Sequence, residues 1–201
     1  RSAYSSRRGS HVMGLVRHSR VTPCYLAGSM ITTPMGDRAV ESLTIGDQVM
    51  IWDDATGATI SDVIVWTGSR TVTICPDLAD DLAGYPVRIL RDAIADGVPY
   101  QDLLVTAEHR LFFDGKLVPA RMLVNGRSIF YDHSMPVFDA YHVETTRHSI
   151  LVANGACIES SVGIDNHRSF REAGGLAEVG NSRFATTAKL VVPLDAVSYT
   201  H

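Results

Sequence analysis

Cys24 stands where a basic, serine-rich stretch, residues 1–20, gives way to a segment rich in β-forming residues. A cysteine at such a boundary can attack the carbonyl carbon of the preceding Pro23 and turn the amide bond into a thioester. This N–S acyl shift needs a base for the thiol, hydrogen-bond donors for the oxyanion and a proton for the departing amine. A lone cysteine is also commonly a small buried apolar residue, so Cys24 alone leaves both roles open.

Four further residues have side chains suited to such chemistry. Thr106 and His109 stand three positions apart, at the end of one predicted strand and the beginning of the next. The hydroxyl or backbone N–H of Thr106 would hold the oxyanion, and the imidazole of His109 would protonate the amide nitrogen. His142 and His148 are candidates because histidine exchanges protons near neutral pH. Each spacing is common, so none of these residues identifies a reaction by itself.

The composition limits the classes of partner. A hydrophobic fraction of 45% and a charged fraction of 20% are ordinary for a soluble globular protein. A net charge of −4 gives no electrostatic case for nucleic acid or an anionic membrane, and the apolar runs are too short to span a bilayer. Residues 1–20 lack the apolar core of a signal peptide, and the localisation stays open.

The three cysteines, Cys24, Cys75 and Cys157, show no C-x-x-C spacing. Neither a zinc knuckle nor a disulfide framework is indicated, although a single disulfide remains compatible with the count. We therefore expect no cofactor and no metal.

The elements that must position these groups are predicted to be strands. Between Pro23 and Glu159, short runs of Val, Ile, Thr and aromatic residues alternate with turn signals, which is typical of an all-β fold. Asp114-Gly115 predicts a tight hairpin, and only Val40–Leu43 and Ala120–Leu123 could form a helical turn. The predicted strands are Met30–Thr33, Gln48–Trp52, Asp62–Thr67, Thr71–Cys75, Pro86–Leu90, Leu103–Thr106, Arg110–Phe113, Lys116–Pro119, Ser128–Tyr131, Tyr141–Thr145 and Ser149–Val152. Residues 40–47 are also similar to residues 119–126, which indicates an internal duplication.

Four sequence blocks, in order, resemble the Hint (Hedgehog/intein) domain family and most of all its bacterial subgroup. Cys24–Gly36 followed by Val40–Val49 resembles the opening block, with its pattern V-E-x-L-x-x-G-D-x-V. Leu104–Leu111 is similar to the T-x-x-H block, and Leu117–Leu123 to the A-x-x-L element after it. Tyr141–Gly155 resembles the terminal hairpin, in which a histidine precedes an apolar strand and Ala-Asn-Gly.

The resemblance implies a flat, horseshoe-shaped all-β fold with two pseudo-two-fold related halves and a central nucleophile. It implies that Cys24 is this nucleophile, that Thr106 and His109 assist its attack, and that His148 supports breakdown or activation of the first intermediate.

The resemblance also divides the chain into three parts. Residues 1–23 are expected to be a flexible upstream tail, residues 24–161 a self-processing Hint domain, and residues 162–201 a C-terminal extension of uncertain structure.

The residues that would complete splicing depart from the family pattern. A splicing intein ends in His-Asn followed by Cys, Ser or Thr, whereas Glu159, Ser160 and Ser161 align with these positions. Because serine cannot form a succinimide, we do not expect full splicing.

Two departures concern the nucleophile's surroundings. His142 replaces the family's acidic residue on the last hairpin, and either Asp139 or Glu144 could supply the missing charge. Pro23 carries the scissile carbonyl, and its ring hinders attack by Cys24.

We therefore expect a single-turnover autoprocessing monomer. An N–S acyl shift at Pro23–Cys24 would be followed by thioester hydrolysis or transfer to a small or protein nucleophile. The substrate would be the chain's own upstream segment, with no nucleic-acid or membrane partner. One alternative is a catalytically decayed Hint-derived structural or interaction module, which Pro23 and Ser160 favour. Another is a Cys-His hydrolase of other proteins, although no long helix is apparent to carry its nucleophile.

Overall fold

A computed structural model describes residues 22–53, 56–113, 115–160, 167 and 170–172. This part of the chain holds fourteen strands, one short helix, α1 (Asp80–Ala83), and two 3₁₀ helices, Val40–Ser42 and Ala120–Leu123. The strands are β1 (Tyr25–Leu26), β2 (Met30–Thr33), β3 (Gly36–Ala39), β4 (Gln48–Asp53), β5 (Ala58–Thr73), β6 (Val87–Ile89), β7 (Leu103–Val105), β8 (Arg110–Phe113), β9 (Lys116–Pro119), β10 (Ile129–Tyr131), β11 (Val137–Thr145), β12 (Ile150–Ala153), β13 (Ala156–Glu159) and β14 (Arg171–Glu172).

The strands join in one hydrogen-bonded network with the order β10-β6-β7-β1-β11-β5-β4-β12-β13-β8-β9, to which β2, β3 and β14 attach at the side. The pairings are antiparallel, and the longest ladder joins β5 to β11, from Thr73 opposite Val137 to Trp66 opposite Glu144. The short strand β1 pairs with β7 on one side and β11 on the other. This insertion places residue 24, immediately before β1, between those two strands. The predicted all-β class is confirmed.

Two units of the chain repeat the same local structure. Each is a hairpin followed by a 3₁₀ helix, β2–β3 in the first and β8–β9 in the second, and corresponding residues lie 80 positions apart. The N–H of Val40 donates to the carbonyl of Ser29, and the N–H of Ala120 donates to the carbonyl of His109. The predicted related halves are thus present, with the repeat aligned on Ala120 rather than Pro119.

Two strands that were predicted separately form one continuous strand. Asp62–Thr67 and Thr71–Cys75 belong to the single strand β5, which ends at Thr73. Gly68, between the two predicted strands, lies within the ladder opposite His142. A Cβ there would clash with the Trp66 ring and lie 2.8 Å from Cβ of Phe170. Glycine is therefore present for close packing.

Four strands, β1, β3, β13 and β14, were not expected. β13 and β3 were missed for different reasons. β13 follows Asn154-Gly155, whose φ angles of 49° and 82° suit a tight hairpin turn, and this dipeptide is itself a strong hairpin signal. β3 exposes Gly36 and Asp37 and lacks the apolar alternation of a strand with one buried face. The predicted hairpin at Asp114-Gly115 is confirmed by the pairing of β8 with β9, and Asp114 itself lies outside the described residues.

The buried side chains form two clusters. The larger holds most of the aliphatic core, including Ile31, Val49 and Leu151. The smaller surrounds Cys24 and lies against β5 and β11; its other members are Leu26, Trp66, Ile74, Ala83, Phe138, Ala140 and Phe170. Cys24 has no exposed surface. Within the described part of the chain, no helix has the length and apolar character needed to cross a membrane.

Candidate active site

The peptide bond between Pro23 and Cys24 is held at both of its polar atoms. The amide N–H of Cys24 donates to Oγ1 of Thr106 over 2.9 Å. The carbonyl oxygen of Pro23 lies 2.9 Å from Nδ1 of His142. Because a carbonyl oxygen only accepts, Nδ1 must carry the proton and donate. The scissile bond is therefore fixed between β7 and β11 before any reaction.

Thr106 is positioned by the end of β7, where the chain turns towards β8. Its hydroxyl accepts from Cys24 and donates to the carbonyl of Thr22 over 3.0 Å, and its own N–H donates to the Cys24 carbonyl over 3.0 Å. The threonine thus holds the amide nitrogen of the scissile bond. The expected contact with the scissile carbonyl is made by His142 instead.

His142 is 4% exposed and is supported from its far side by Glu144. Its Nε2 lies 3.2 Å from Oε1 of Glu144. Burial by itself would raise the pKa of Glu144, but hydrogen bonds from His142 and His167 hold it below its ordinary value. The ring of His142 therefore lies between the carboxylate of Glu144 at Nε2 and the carbonyl of Pro23 at Nδ1. Glu144 therefore supplies the negative charge that the sequence left between two candidates.

The other candidate for that charge, Asp139, is exposed and accepts a hydrogen bond from the hydroxyl of Thr71 over 2.7 Å. It belongs to the outer surface of the β5–β11 ladder and contributes no hydrogen bond to the scissile peptide.

His109 is buried, with 1% of its surface exposed, beside the main chain of Cys24. Its Nε2 donates to the carbonyl of Glu159 over 3.0 Å, and its ring packs edge-on against Tyr25 with centroids 4.4 Å apart. Nδ1 is buried without a hydrogen-bond partner. Burial lowers the pKa of His109 to about 4. The ring is therefore neutral at pH 7, with an unshared electron pair on Nδ1.

The thiol of Cys24 is equally shielded from water. Burial raises its pKa to about 12, and the positive charge of Arg70 only partly offsets this effect. The thiol is therefore protonated at neutral pH, and its attack requires a base. Cys24, Cys75 and Cys157 are all free thiols.

The sequence comparisons identify the family that shares this arrangement. The sequence model described as "Hint domain" matches residues 23–164. The chain belongs to the Hint domain family. The match begins at Pro23, so it includes the peptide bond between Pro23 and Cys24. No curated protein matches the chain.

Two solved structures are similar to this chain at low sequence identity. A bacterial intein-like domain from Clostridium thermocellum is 16% identical with a TM-score of 0.53, over 68% of this chain and 97% of that one. A DnaB intein from Synechocystis sp. is 14% identical with a TM-score of 0.47, over 70% of this chain and all of that one. The likeness to the intein-like domain confirms the Hint fold.

His148 lies further from the scissile bond of the Hint domain than the other predicted residues. Its ring is half exposed, and Nε2 lies 2.6 Å from Oε1 of Glu159. Glu159 in turn accepts from His109 through its main-chain carbonyl. His148 is therefore linked to the site only through Glu159, and no hydrogen bond joins it to Cys24 or Pro23 among the described contacts.

Ser160, which was aligned with an intein's terminal asparagine from the sequence alone, is buried among hydroxyl groups. Its Oγ accepts from the N–H of Ser149 over 2.9 Å and lies 3.4 Å from Oγ1 of Thr145. Ser161 lies outside the described residues. In the described part of the Hint domain, no group of three or more His, Cys, Asp or Glu side chains is arranged to hold a metal ion.

Proposed function

We propose that this Hint domain processes its own chain by an N–S acyl shift at the Pro23–Cys24 bond. The resulting thioester is hydrolysed or passed to a small or protein nucleophile, and no splicing follows. One observation carries the proposal: hydrogen bonds from two separate parts of the fold hold the two polar atoms of this peptide bond, His142 at the carbonyl oxygen and Thr106 at the amide nitrogen.

The first step forms a bond between Sγ of Cys24 and the carbonyl carbon of Pro23. The thiol proton passes to Nδ1 of His109, which is neutral at pH 7 and has no hydrogen-bond partner. The carbonyl oxygen becomes an oxyanion, and the Nδ1–H of His142 stabilises it. Because this donor is already in place in the resting protein, little reorganisation is needed.

The second step breaks the bond between the Pro23 carbonyl carbon and the Cys24 nitrogen. His109 returns its proton to the departing nitrogen, which becomes the free amine of Cys24, and Thr106 remains beside that atom. Water or another nucleophile then attacks the thioester carbonyl and the bond from this carbon to Sγ of Cys24 breaks. The Cys24 sulfur takes up the proton that the nucleophile loses, and the upstream segment leaves with Pro23 as its last residue.

Excision at the downstream end is absent from the proposed reaction. The side chain of Ser160 has no amide nitrogen that could attack the backbone carbonyl. Its hydroxyl is instead placed among Thr145 and Ser149, which stabilises the end of β13.

The test uses the full chain with hydroxylamine at neutral pH, followed by mass spectrometry of intact products. We expect an upstream fragment that carries a hydroxamate on the carbonyl of Pro23. Cys24→Ala should release no fragment that ends at Pro23. Any hydroxylamine cleavage at Asn154-Gly155 does not depend on Cys24, occurs in both chains and gives a different mass. A folded parent chain that yields no Pro23 hydroxamate would contradict the proposal.

The same experiment distinguishes the proposed self-processing from the alternative of a catalytically decayed Hint module. It predicts that the parent chain and Cys24→Ala keep the same length under every condition. The third alternative, a hydrolase of other proteins, requires turnover of an added peptide, whereas the burial of Cys24 leaves the nucleophile in contact with its own chain.

A further inference from the structure

The described residues beyond the last strand of the matched domain pack back onto the site. They are here called the C-terminal strap: His167, Phe170, Arg171 and Glu172. Strand β14 pairs antiparallel with β5, Arg171 opposite Ser69 and Glu172 opposite Gly68. The family match ends at residue 164, so the strap lies beyond the matched residues.

Phe170 anchors the strap beside the nucleophile. It is 9% exposed and belongs to the same buried cluster as Cys24. Its ring meets Trp66 edge-on at 5.6 Å, lies 5.5 Å from the ring of His142, and has the guanidinium carbon of Arg70 5.2 Å from its centroid. The missing Cβ of Gly68 makes room for this packing.

His167 joins the strap to the groups that hold the scissile carbonyl. Its ring stacks on Trp66 with centroids 4.0 Å apart and planes 9° apart. Its Nε2 lies 3.0 Å from Oε1 of Glu144, the same oxygen that lies 3.2 Å from His142. A continuous series of hydrogen bonds therefore runs from His167 through Glu144 and His142 to the carbonyl of Pro23.

We propose that His167 is a positioning residue for the acyl shift: it holds the carboxylate of Glu144 so that His142 stays aimed at the scissile carbonyl. This inference rests on the proposed function. The ring of His167 has two separable parts in this role, an aromatic face that stacks on Trp66 and an N–H that donates to Glu144. Because a displacement of about 1 Å in a catalytic group can cost about a hundredfold in rate, loss of the N–H alone slows the reaction.

Two variants of the full chain separate these parts. His167→Phe keeps a ring for Trp66 but has no donor for Glu144, whereas His167→Gln keeps a donor and loses the ring. We expect hydroxylamine-dependent release to fall by about tenfold or more in His167→Phe and to recover most of the way in His167→Gln. His133→Ala is the matched control, because this exposed histidine also bonds a carboxylate, that of Asp80, on another part of the surface.

A double-mutant cycle tests whether the effect passes through Glu144. If it does, His167→Phe has no further effect on the rate in a Glu144→Gln chain, since the carboxylate it would position is already gone. Thermal unfolding of each variant checks that the fold is retained.

The outcomes separate this inference from the proposed function. Release in the parent chain at a rate that His167→Phe leaves unchanged overturns the role of His167 alone. An equal loss of release rate in His167→Phe and His167→Gln also overturns this role. Additive losses of rate in the double-mutant cycle do the same, because either result would indicate that the strap is merely structural. A parent chain that releases nothing overturns the proposed function and this inference with it.

Discussion

Nδ1 of His142 lies 2.9 Å from the carbonyl oxygen of Pro23, across 119 positions of sequence. The contact joins Pro23 to β11, which is one of the two strands of the longest ladder. The donor is held from its far side by Glu144, so it is in place before any reaction begins. The carbonyl of Pro23 is therefore polarised in the resting chain. The proposed reaction still requires a base to remove the proton of the Cys24 thiol, because burial keeps this thiol protonated.

Replacement of His142 should remove the main stabilisation of the oxyanion. We expect His142→Ala to lower the rate of hydroxylamine-dependent release by about 10²–10³-fold, the usual cost of one oxyanion donor. His148→Ala should cost much less, because His148 reaches the site only through Glu159. Single-turnover release followed by mass spectrometry measures both. A larger loss in His148→Ala than in His142→Ala would show that the roles are reversed.

Replacement of Pro23 should speed the reaction. The proline ring crowds the carbonyl carbon that Cys24 must attack, whereas its carbonyl oxygen is held equally well by any residue. We expect Pro23→Gly to release the upstream fragment at least about tenfold faster, which corresponds to about 1.4 kcal/mol of activation free energy. The double variant Pro23→Gly with Cys24→Ala is the control and should stay intact. An unchanged or lower rate would mean that the ring is needed to hold the bond in place.

Much of the fold could be predicted because alternating apolar residues and turn dipeptides act locally. The hairpin at Asp114-Gly115 and the two helical turns are local signals of this kind. The continuity of β5 could not be predicted in the same way. Gly68 is present because of Trp66 and Phe170, and the second of these lies about a hundred residues away in the sequence.

The sequence predicted which residues lie at the candidate site. It predicted less well which of these residues contact each other. Cys24, Thr106, His109 and His142 converge, but which of them holds the carbonyl depends on the register of β11 against β5 and β1. That register places His142, rather than Thr106, at the oxygen. His167 had no sequence signal, since an isolated histidine in a polar stretch resembles any surface residue.

The three thiols should differ widely in their reaction with an alkylating reagent. Cys75 is exposed and should react first, and Cys157, partly buried with a raised pKa, should follow. Cys24 should react last, because with a pKa of about 12 only about one molecule in ten thousand carries its thiolate at pH 8. Peptide mapping after timed labelling measures the order, and labelling in denaturant should equalise the rates. Labelling of Cys24 as fast as Cys75 in the folded chain would contradict the buried nucleophile.

The buried, neutral ring of His109 makes the stability of the fold depend on pH. Its pKa is about 4 when folded and has its ordinary value of 6.5 when the chain unfolds. As the pH falls from 7 to 5, the unfolded chain takes up a proton that the folded chain does not. The contribution of His109 to the free energy of unfolding is therefore complete above about pH 6.5 and is lost as the pH falls towards 4. Glu144 and Glu159 have lowered pKa values, so their contributions to stability are lost only at lower pH. A change in stability between pH 7 and pH 5 can therefore be distinguished from theirs.

The expected loss between pH 7 and pH 5 is about 2 kcal/mol of unfolding free energy from His109 alone. Urea denaturation in a Cys24→Ala chain, which cannot cleave itself, measures this quantity. His109→Gln keeps a buried polar side chain but cannot be protonated, so the same pH change should cost it about 2 kcal/mol less than the chain with His109. The other histidines are present in both chains, and their contributions cancel in the difference. An equal loss in the two chains would show that His109 takes up its proton in the folded state near its ordinary pKa, and the neutral base proposed for the thiol of Cys24 would then be absent.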